Sequence, residues 1–307
     1  MYHFIVNLNS RTGKAKKIWE DLREELERRE VPYVLHETKY AGHAIAISRR
    51  LVKNEETPVK IIVLGGDGTF NEVINGAREY DKIELGYIPT GSGNDLARGL
   101  QLPSDPLENL NRILDSKEFE RVDLGCLSWD DGESKKYFAV STGVGVDADV
   151  CRLALSSTLK KVLNKIGLGK LTYAILTLRS LFASPTMNAH IVADGKDYGI
   201  LDKIIFVAIM NQSTEGGGVP MSPHAVATDG KLSMCCISGV GKLKALTLFP
   251  SLLGGKHTSL DAYLGVDFTQ ADIVLKTPFV WHTDGEMCSY NTEMHIECIP
   301  GAIKLMK

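Results

Sequence analysis

No stretch of this 307-residue sequence stays apolar for the roughly 20 residues that a membrane-spanning helix needs. Repeats and low-complexity segments are missing as well. The six cysteines (126, 151, 235, 236, 288 and 298) include no Cys-x-x-Cys pair and no zinc-type spacing with histidine. That excludes a disulfide scaffold or a zinc ribbon and points to a reducing compartment. Met1-Tyr2-His3-Phe4-Ile5-Val6-Asn7 lacks the basic start and long apolar core of a signal peptide and reads as a strand, so a cytoplasmic location is expected. Acidic residues are absent from two long stretches. Between Asp149 and Asp194 stand six cations (Arg152, Lys160, Lys161, Lys165, Lys170, Arg179), and between Asp229 and Asp261 four more (Lys231, Lys242, Lys244, Lys256). With a net charge of only −3, this asymmetry predicts that one side of the protein meets something anionic.

What is present suits a globular protein of two domains, 44% hydrophobic and 24% charged. The chain is organised around residues 59 to 72. Val59 to Leu64 is apolar and mostly β-branched apart from Lys60, as a buried parallel strand is. Gly65-Gly66-Asp67-Gly68 follows, and a helical pattern begins at Thr69 with Val73, Ile74 and Ala77 on one face. Strand, glycine turn and helix start converge backbone N–H groups on one point, a phosphate-site geometry. The P-loop lysine and the Gly-x-Gly-x-x-Gly spacing are both missing here. A carboxylate among phosphate-binding glycines calls for a divalent cation, a substrate hydroxyl or both; the plainer alternative is a turn with Asp67 as N-cap. A second loop repeats the idea: strand Ile83 to Ile88, then Pro89-Thr90-Gly91-Ser92-Gly93-Asn94-Asp95, where Asn94 or Asp95 can cap a helix from Leu96. Parallel strands would place both loops at one sheet edge, where ligands bind.

Residues 1 to 120 alternate strand and helix, with helices expected over Ile18–Glu30 and 41–53, which predicts an α/β nucleotide-binding domain with a mainly parallel sheet. From 121 to 290 strands dominate, interrupted by amphipathic stretches at 151–183 and 241–264, and an antiparallel β-sandwich is expected. The final segment, about 290–307, reads as a strand pair over 294–306 that returns to the first domain.

Gly65-Gly66-Asp67-Gly68-Thr69 with Asn71-Glu72, together with Pro89-Thr90-Gly91-Ser92-Gly93-Asn94-Asp95, resembles the diacylglycerol and sphingosine kinase family of lipid kinases, most closely its soluble bacterial type. The first motif alone is shared with NAD kinases and 6-phosphofructokinases. The resemblance implies ATP as phosphoryl donor, with Gly65, Gly66, Asp67, Gly68, Thr69, Asn71, Gly91, Ser92, Asn94 and Asp95 at the nucleotide. Asn9 lies in a loop similar to the family's Asn-Pro-x-Ser-Gly-x-Gly turn, with Leu8 for the proline and Arg11 for the first glycine, and Thr38 matches a position beside the nucleotide. Thr283-Asp284-Gly285-Glu286 matches the acceptor-side motif, implying that Glu286 or Asp284 accepts the hydroxyl proton, with Glu286 favoured and Asp67 helping to place metal and phosphates. By residue type alone Asp284-Gly285 is a hairpin turn, and His282 reads as a surface or packing histidine. Gly216-Gly217-Gly218 and Asp229-Gly230-Lys231 also resemble the family, implying Mg²⁺ held by Asp229 and the carbonyls of Val226 and Lys231, with Asp123 linking the ion to the active site.

The function so implied is phosphorylation of a lipid hydroxyl, diacylglycerol to phosphatidic acid first. Another lipid alcohol (a sphingoid base, phosphatidylglycerol), a soluble NAD kinase-like reaction and a non-catalytic nucleotide or lipid sensor are the alternatives. The expected partners are the lipid substrate and an anionic membrane surface met peripherally through Lys160, Lys161 and Lys165. A homodimer stays open and no nucleic acid is expected.

Overall fold

The computed structural model describes residues 1–8, 14–54, 58–156 and 169–307, in two compact units: 1–124 with 300–307, and 125–299.

Unit 1 runs β1 (Tyr2–Val6), α1 (Lys14–Arg28), β2 (Tyr33–Glu37), α2 (His43–Asn54), β3 (Val59–Gly65), α3 (Asp67–Ala77), β4 (Ile83–Pro89), α4 (Asp95–Gly99), α5 (Pro106–Asp115) and the start of β5 (Phe119–Trp129). The strands are parallel in the order β2-β1-β3-β4, and the last residues of the chain add a fifth, Lys304 opposite Glu84 and Leu305 opposite Leu85. Helix α1 begins four residues before the expected Ile18, because Ala15 is already packed in the core, and a left-handed Glu30 (φ 52) follows its end. Asp105 caps α5 by accepting the Glu108 N–H at 2.8 Å, with Pro106 next, the residue type whose missing N–H costs nothing there. Phe4, Trp19, Leu22, Ile62, Leu64 and Met306 share the core.

Unit 2 holds the rest of β5, then β6 (Ser134–Phe138), β7 (Ser141–Gly145), α6 (Val146–Ser156), α7 (Gly169–Ala183), β8 (Met187–Ala193), β9 (Lys196–Ile204), β10 (Phe206–Met210), β11 (Leu232–Ile237), α8 (Lys242–Leu253), β12 (Tyr263–Phe268), β13 (Gln270–Thr283) and most of β14 (Glu286–Met306). Its pairings are antiparallel, in the order β12-β11-β10-β7-β13, with β8 on another part of β13 and β9 beside β8. Pro278 explains the split use of β13: it lies in the register break between Val274 and Phe279, where a residue without an N–H can sit. The expected α/β plus β-sandwich architecture is therefore present. The expected strand pair over 294–306 is instead one strand. Pro300-Gly301 (Gly301 φ 56) bends the chain without reversing it, so β14 pairs antiparallel with β13 up to Glu297 and parallel with β4 from Lys304. No helix among the described residues is long and apolar enough to cross a membrane.

Candidate functional site

In unit 1 the two glycine loops follow β3 and β4, which pair in register through Gly65 and Pro89. A Cβ on Gly91 would stand 2.7 Å from the Cα of Gly66, and one on Gly66 would stand 3.2 Å from the Cα of Gly91. The glycines thus let the loops touch backbone to backbone, a constraint added to the anion access that sequence suggests. Asp67 bridges them: its carboxylate accepts from the Tyr87 hydroxyl at 3.1 Å and from the Asp95 N–H at 3.0 Å. Helix α3 starts at Asp67, not Thr69, and its N-cap is Gly66 with no side-chain cap. The Asp67 N-cap alternative therefore fails, because the carboxylate turns to the second loop. Neither Asn94 nor Asp95 caps α4 through its side chain. Asn94 is left-handed (φ 53), and buried Asp95 is ion-paired with Arg98, which also donates to the Gly93 carbonyl at 3.0 Å.

The remaining nucleotide-side residues divide. Ser92 is exposed. Thr69 is buried and accepts from the Asn7 amide at 3.3 Å, and Asn71 is buried against Asn75. Thr38 is buried, its hydroxyl donating to the Val6 carbonyl at 3.3 Å. Glu72 accepts the N–H groups of Gly42 and Ala44, at 2.7 and 3.0 Å, at the start of α2. Asn9 and Arg11 lie outside the described residues, as do Lys160, Lys161 and Lys165. Sequence reasoning passed over Tyr87 and Arg98. The signal for Arg98 was its position one helical turn after Asp95.

In unit 2, Thr283 pairs with Glu286 across a two-residue turn in which Asp284 and Gly285 are both left-handed (φ 48 and 83). This is the type I′ hairpin that Asp-Gly favours. Asp284 does more than turn: its carboxylate accepts the N–H groups of Ala139, Val140 and Ser141 at 2.9, 2.8 and 3.0 Å. Glu286 is exposed at the end of the turn. His282, expected at the surface or in packing, is fully buried, with Nε2 2.8 Å from Asp147 Oδ2.

Asp147, Cys151, Glu215 and His282 bring one ligand-type atom each within 4.8 Å of one another. Burial pushes the Asp147 carboxyl up, but His282 and a hydrogen bond from Glu215 outweigh it and hold it below the usual range. Asp147 and Glu215 also line a cavity of about 360 Å³ whose other walls are largely apolar, among them Val150 of α6, Leu181 of α7 and Leu248 and Phe249 of α8. Sequence reasoning passed over Asp147 and Glu215, named Cys151 only among the cysteines and read His282 as a surface or packing residue; 135 residues separate Asp147 from His282, so nothing local joins them. The one local clue is Gly143 inside β7, where a Cβ would collide with Asp147 Oδ2 at 2.0 Å.

Asp229 is exposed, and its Oδ1 accepts the Lys231 N–H at 3.0 Å. Exposed Val226 and Lys231 offer carbonyls nearby in sequence, so the donor set is all oxygen and of a kind that suits Mg²⁺. Asp123 is buried and accepts the Gly301 N–H at 2.6 Å.

Residues 1–127 match the model of the diacylglycerol kinase catalytic domain, and residues 139–307 match that of the YegS C-terminal NAD kinase beta sandwich-like domain. The chain is 26% identical over 310 residues to YtlR of Bacillus subtilis (strain 168), a protein named as a lipid kinase, covering 99% of this chain and 98% of that one. To a diacylglycerol kinase of Mycobacterium tuberculosis (strain H37Rv) it is 28% identical over 250 residues, covering 80% and 76%. A crystal structure titled as a diacylglycerol kinase from Bacillus anthracis str. Sterne superposes with a TM-score of 0.77 at 23% identity, over 99% of this chain and 96% of that one, a likeness of fold.

Proposed function

Because the chain belongs to the diacylglycerol kinase catalytic-domain family with the YegS-type C-terminal domain, and is a lipid kinase, we propose that it moves the γ-phosphate of ATP to the hydroxyl of diacylglycerol, giving phosphatidic acid. The observation that carries the lipid reading is the cavity of about 360 Å³ in unit 2. Aliphatic and aromatic walls repay the desolvation of an alkyl chain and offer nothing to a soluble sugar or nucleotide. Two buried carboxylates at such a wall, Asp147 and Glu215, give a hydroxyl-bearing headgroup something to donate to.

The roles follow from what each carboxylate is already doing. Asp284 is committed to three backbone N–H groups, so Glu286, exposed beside it, is the proton acceptor. Asp67 and the two glycine loops hold the nucleotide phosphates by backbone N–H groups and the positive start of α3. Asp229 with the carbonyls of Val226 and Lys231 would hold Mg²⁺, which supplies counter-charge when bound.

The membrane role rests on the outer faces of α7 and α8. Phe182 (51% exposed) and Leu243 (75% exposed) stand beside Arg179, Lys242 and Lys244, and Lys242 donates to the Phe182 carbonyl at 2.9 Å. Both helices lie in the acid-free stretches and also wall the cavity. Apolar side chains among cations suit an anionic bilayer, each cation adding about 1 kcal/mol.

The test is incubation with labelled ATP and Mg²⁺ against a lipid panel in mixed micelles: diacylglycerol, a sphingoid base and phosphatidylglycerol. Diacylglycerol is expected to be labelled fastest, and Glu286→Gln to lose about 10²–10⁴-fold in rate with ATP affinity little changed. Label in a sphingoid base or phosphatidylglycerol alone would reject diacylglycerol, and label in no lipid would reject the function.

A further inference from the structure

The buried Asp147–His282 pair has a direction. The Gly285 N–H, which can only donate, points at His282 Nδ1 from 3.2 Å. Nδ1 is therefore the lone-pair nitrogen, the ring is neutral, and its single proton sits on Nε2, donated to Asp147 Oδ2 at 2.8 Å. One imidazole thus joins a carboxylate on the cavity wall to the turn that carries Glu286. The rest of the neighbourhood keeps the ring from choosing otherwise. The Thr142 hydroxyl donates to the His282 carbonyl at 2.5 Å, and Asp284 pins the far side of the turn to residues 139–141. Glycine at 143 leaves the room, since a Cβ there would also stand 3.0 Å from His282 Nε2. Among the described residues, Glu215 and Cys151 also bring a polar atom within 4.8 Å of the pair, and the buried Cys235 thiol feels the Asp147 and Glu215 charges.

We propose that Asp147 and His282 are positioning residues that couple the lipid cavity to the Asp284–Glu286 turn, so that a hydroxyl entering beside Asp147 aligns Glu286 for transfer. This rests on the lipid-kinase reading of the same site. It takes no proton from the substrate at His282 and asks of the ring only a fixed tautomer. A hydroxyl that donates to Asp147 shares its oxygens with His282, and the ring answers through its hold on Gly285. Loss of either link leaves Glu286 present but misplaced, which acts on turnover more than on nucleotide binding.

Four variants separate the links. His282→Gln keeps reach to Asp147 and gives up the acceptor for Gly285; His282→Asn does the reverse; Asp147→Ala cuts the cavity end; Asp147→Asn keeps an oxygen for the Nε2 proton. With diacylglycerol in mixed micelles, His282→Gln, His282→Asn and Asp147→Ala are each expected to lower kcat about tenfold to a hundredfold. KM for ATP should hold within about twofold. Asp147→Asn should recover most of the loss. Nitrogen-15 spectra of the unmodified protein need no variant and no lipid: they should show His282 as the Nε2–H tautomer at neutral pH. Wild-type kcat in Asp147→Ala, or an Nδ1–H or imidazolium ring, overturns the relay. Asp147→Asn as slow as Asp147→Ala also overturns it, because Asp147 would then act through its charge. Full activity in Glu286→Gln would instead sink the assigned proton acceptor, and the tautomer would still report on the relay by itself.

Discussion

Replacing Asp284 by alanine separates a wedge from a catalyst. Ala139, Val140 and Ser141 are each at most 4% exposed, and their N–H groups end on Asp284, two on Oδ1 and one on Oδ2. A hydrogen bond to a charged group contributes about 1.5–3 kcal/mol, and a buried donor left unmade costs about 1–3 kcal/mol. Three such bonds do not add fully, because they share one carboxylate and one strand. Taking the low end of the range and discounting the shared oxygen leaves about 3–4 kcal/mol. For a chain of this size, about 2.1 cal/mol/K of unfolding entropy per residue makes that a fall in Tm of roughly 5–6 °C. The strand that ends at the turn carries a convenient reporter in Trp281, which is fully buried. Urea unfolding followed by tryptophan fluorescence should therefore show the midpoint falling in Asp284→Ala. Glu286→Gln, an exposed change, should stay within about 0.5 kcal/mol of wild type. Asp284→Asn should fall between, since its amide keeps one acceptor and turns a donor toward another donor. An Asp284→Ala protein as stable as wild type but inactive would refute the wedge and return Asp284 to the chemistry.

Gly91→Ala forces a Cβ to within 2.7 Å of the Gly66 Cα. Overpacking of that kind costs about 1–3 kcal/mol, and if the two glycine loops hold the nucleotide as proposed it should weaken ATP binding about tenfold to a hundredfold, read by equilibrium titration. His257, at the cavity wall, is 1% exposed and donates from Nε2 to the Met221 carbonyl at 2.9 Å, and burial holds its pKa below the ordinary histidine value. The unfolded state then takes up a proton that the folded state refuses, so stability is full above pH 6.5 and is lost as pH falls through the lowered folded value. Chemical denaturation at pH 7.5 and 5.5 should show that loss, and His257→Gln should flatten it; an unchanged pH slope in the variant would assign the loss to other groups.

How far sequence could go depended on how far apart the partners were. The strand-glycine-helix run at 59–72 is local, and the type of each element there follows from period and turn chemistry alone. What the loops do to each other was hidden. That Gly66 and Gly91 are needed for mutual contact, and that Asp67 serves Asp95 instead of its own helix, depends on neighbouring parallel strands. The cavity is further out of reach, because α6, α7, α8 and the Glu215–Val219 turn each supply a wall. Leucines at helical spacing in 151–183 and 241–264 do show apolar faces; nothing in their spacing says that part of those faces lines a hollow.

The Asp-Gly pairs sharpen the point, since the sequence has five of them and they do not share a job. Asp131-Gly132 is an exposed turn between β5 and β6, both residues left-handed, and needs no further reason. Asp194 accepts the Thr269 and Gln270 N–H groups and the Thr269 hydroxyl, ties its hairpin to the start of β13, and has its carboxyl pKa lowered although burial opposes the shift. Asp284 does the same to residues 139–141. Asp229 accepts only a local bond from Lys231 among those described and stays exposed, which is the condition a metal-ligand proposal requires. Asp67 opens a helix and reaches to a second loop. By turn propensity the five are equivalent. They differ in which N–H groups the fold brings to the carboxylate, and a carboxylate already given two or three of them is a poor proton acceptor for a substrate. That contrast, more than any motif, is why Glu286 and not Asp284 is the group to test for chemistry.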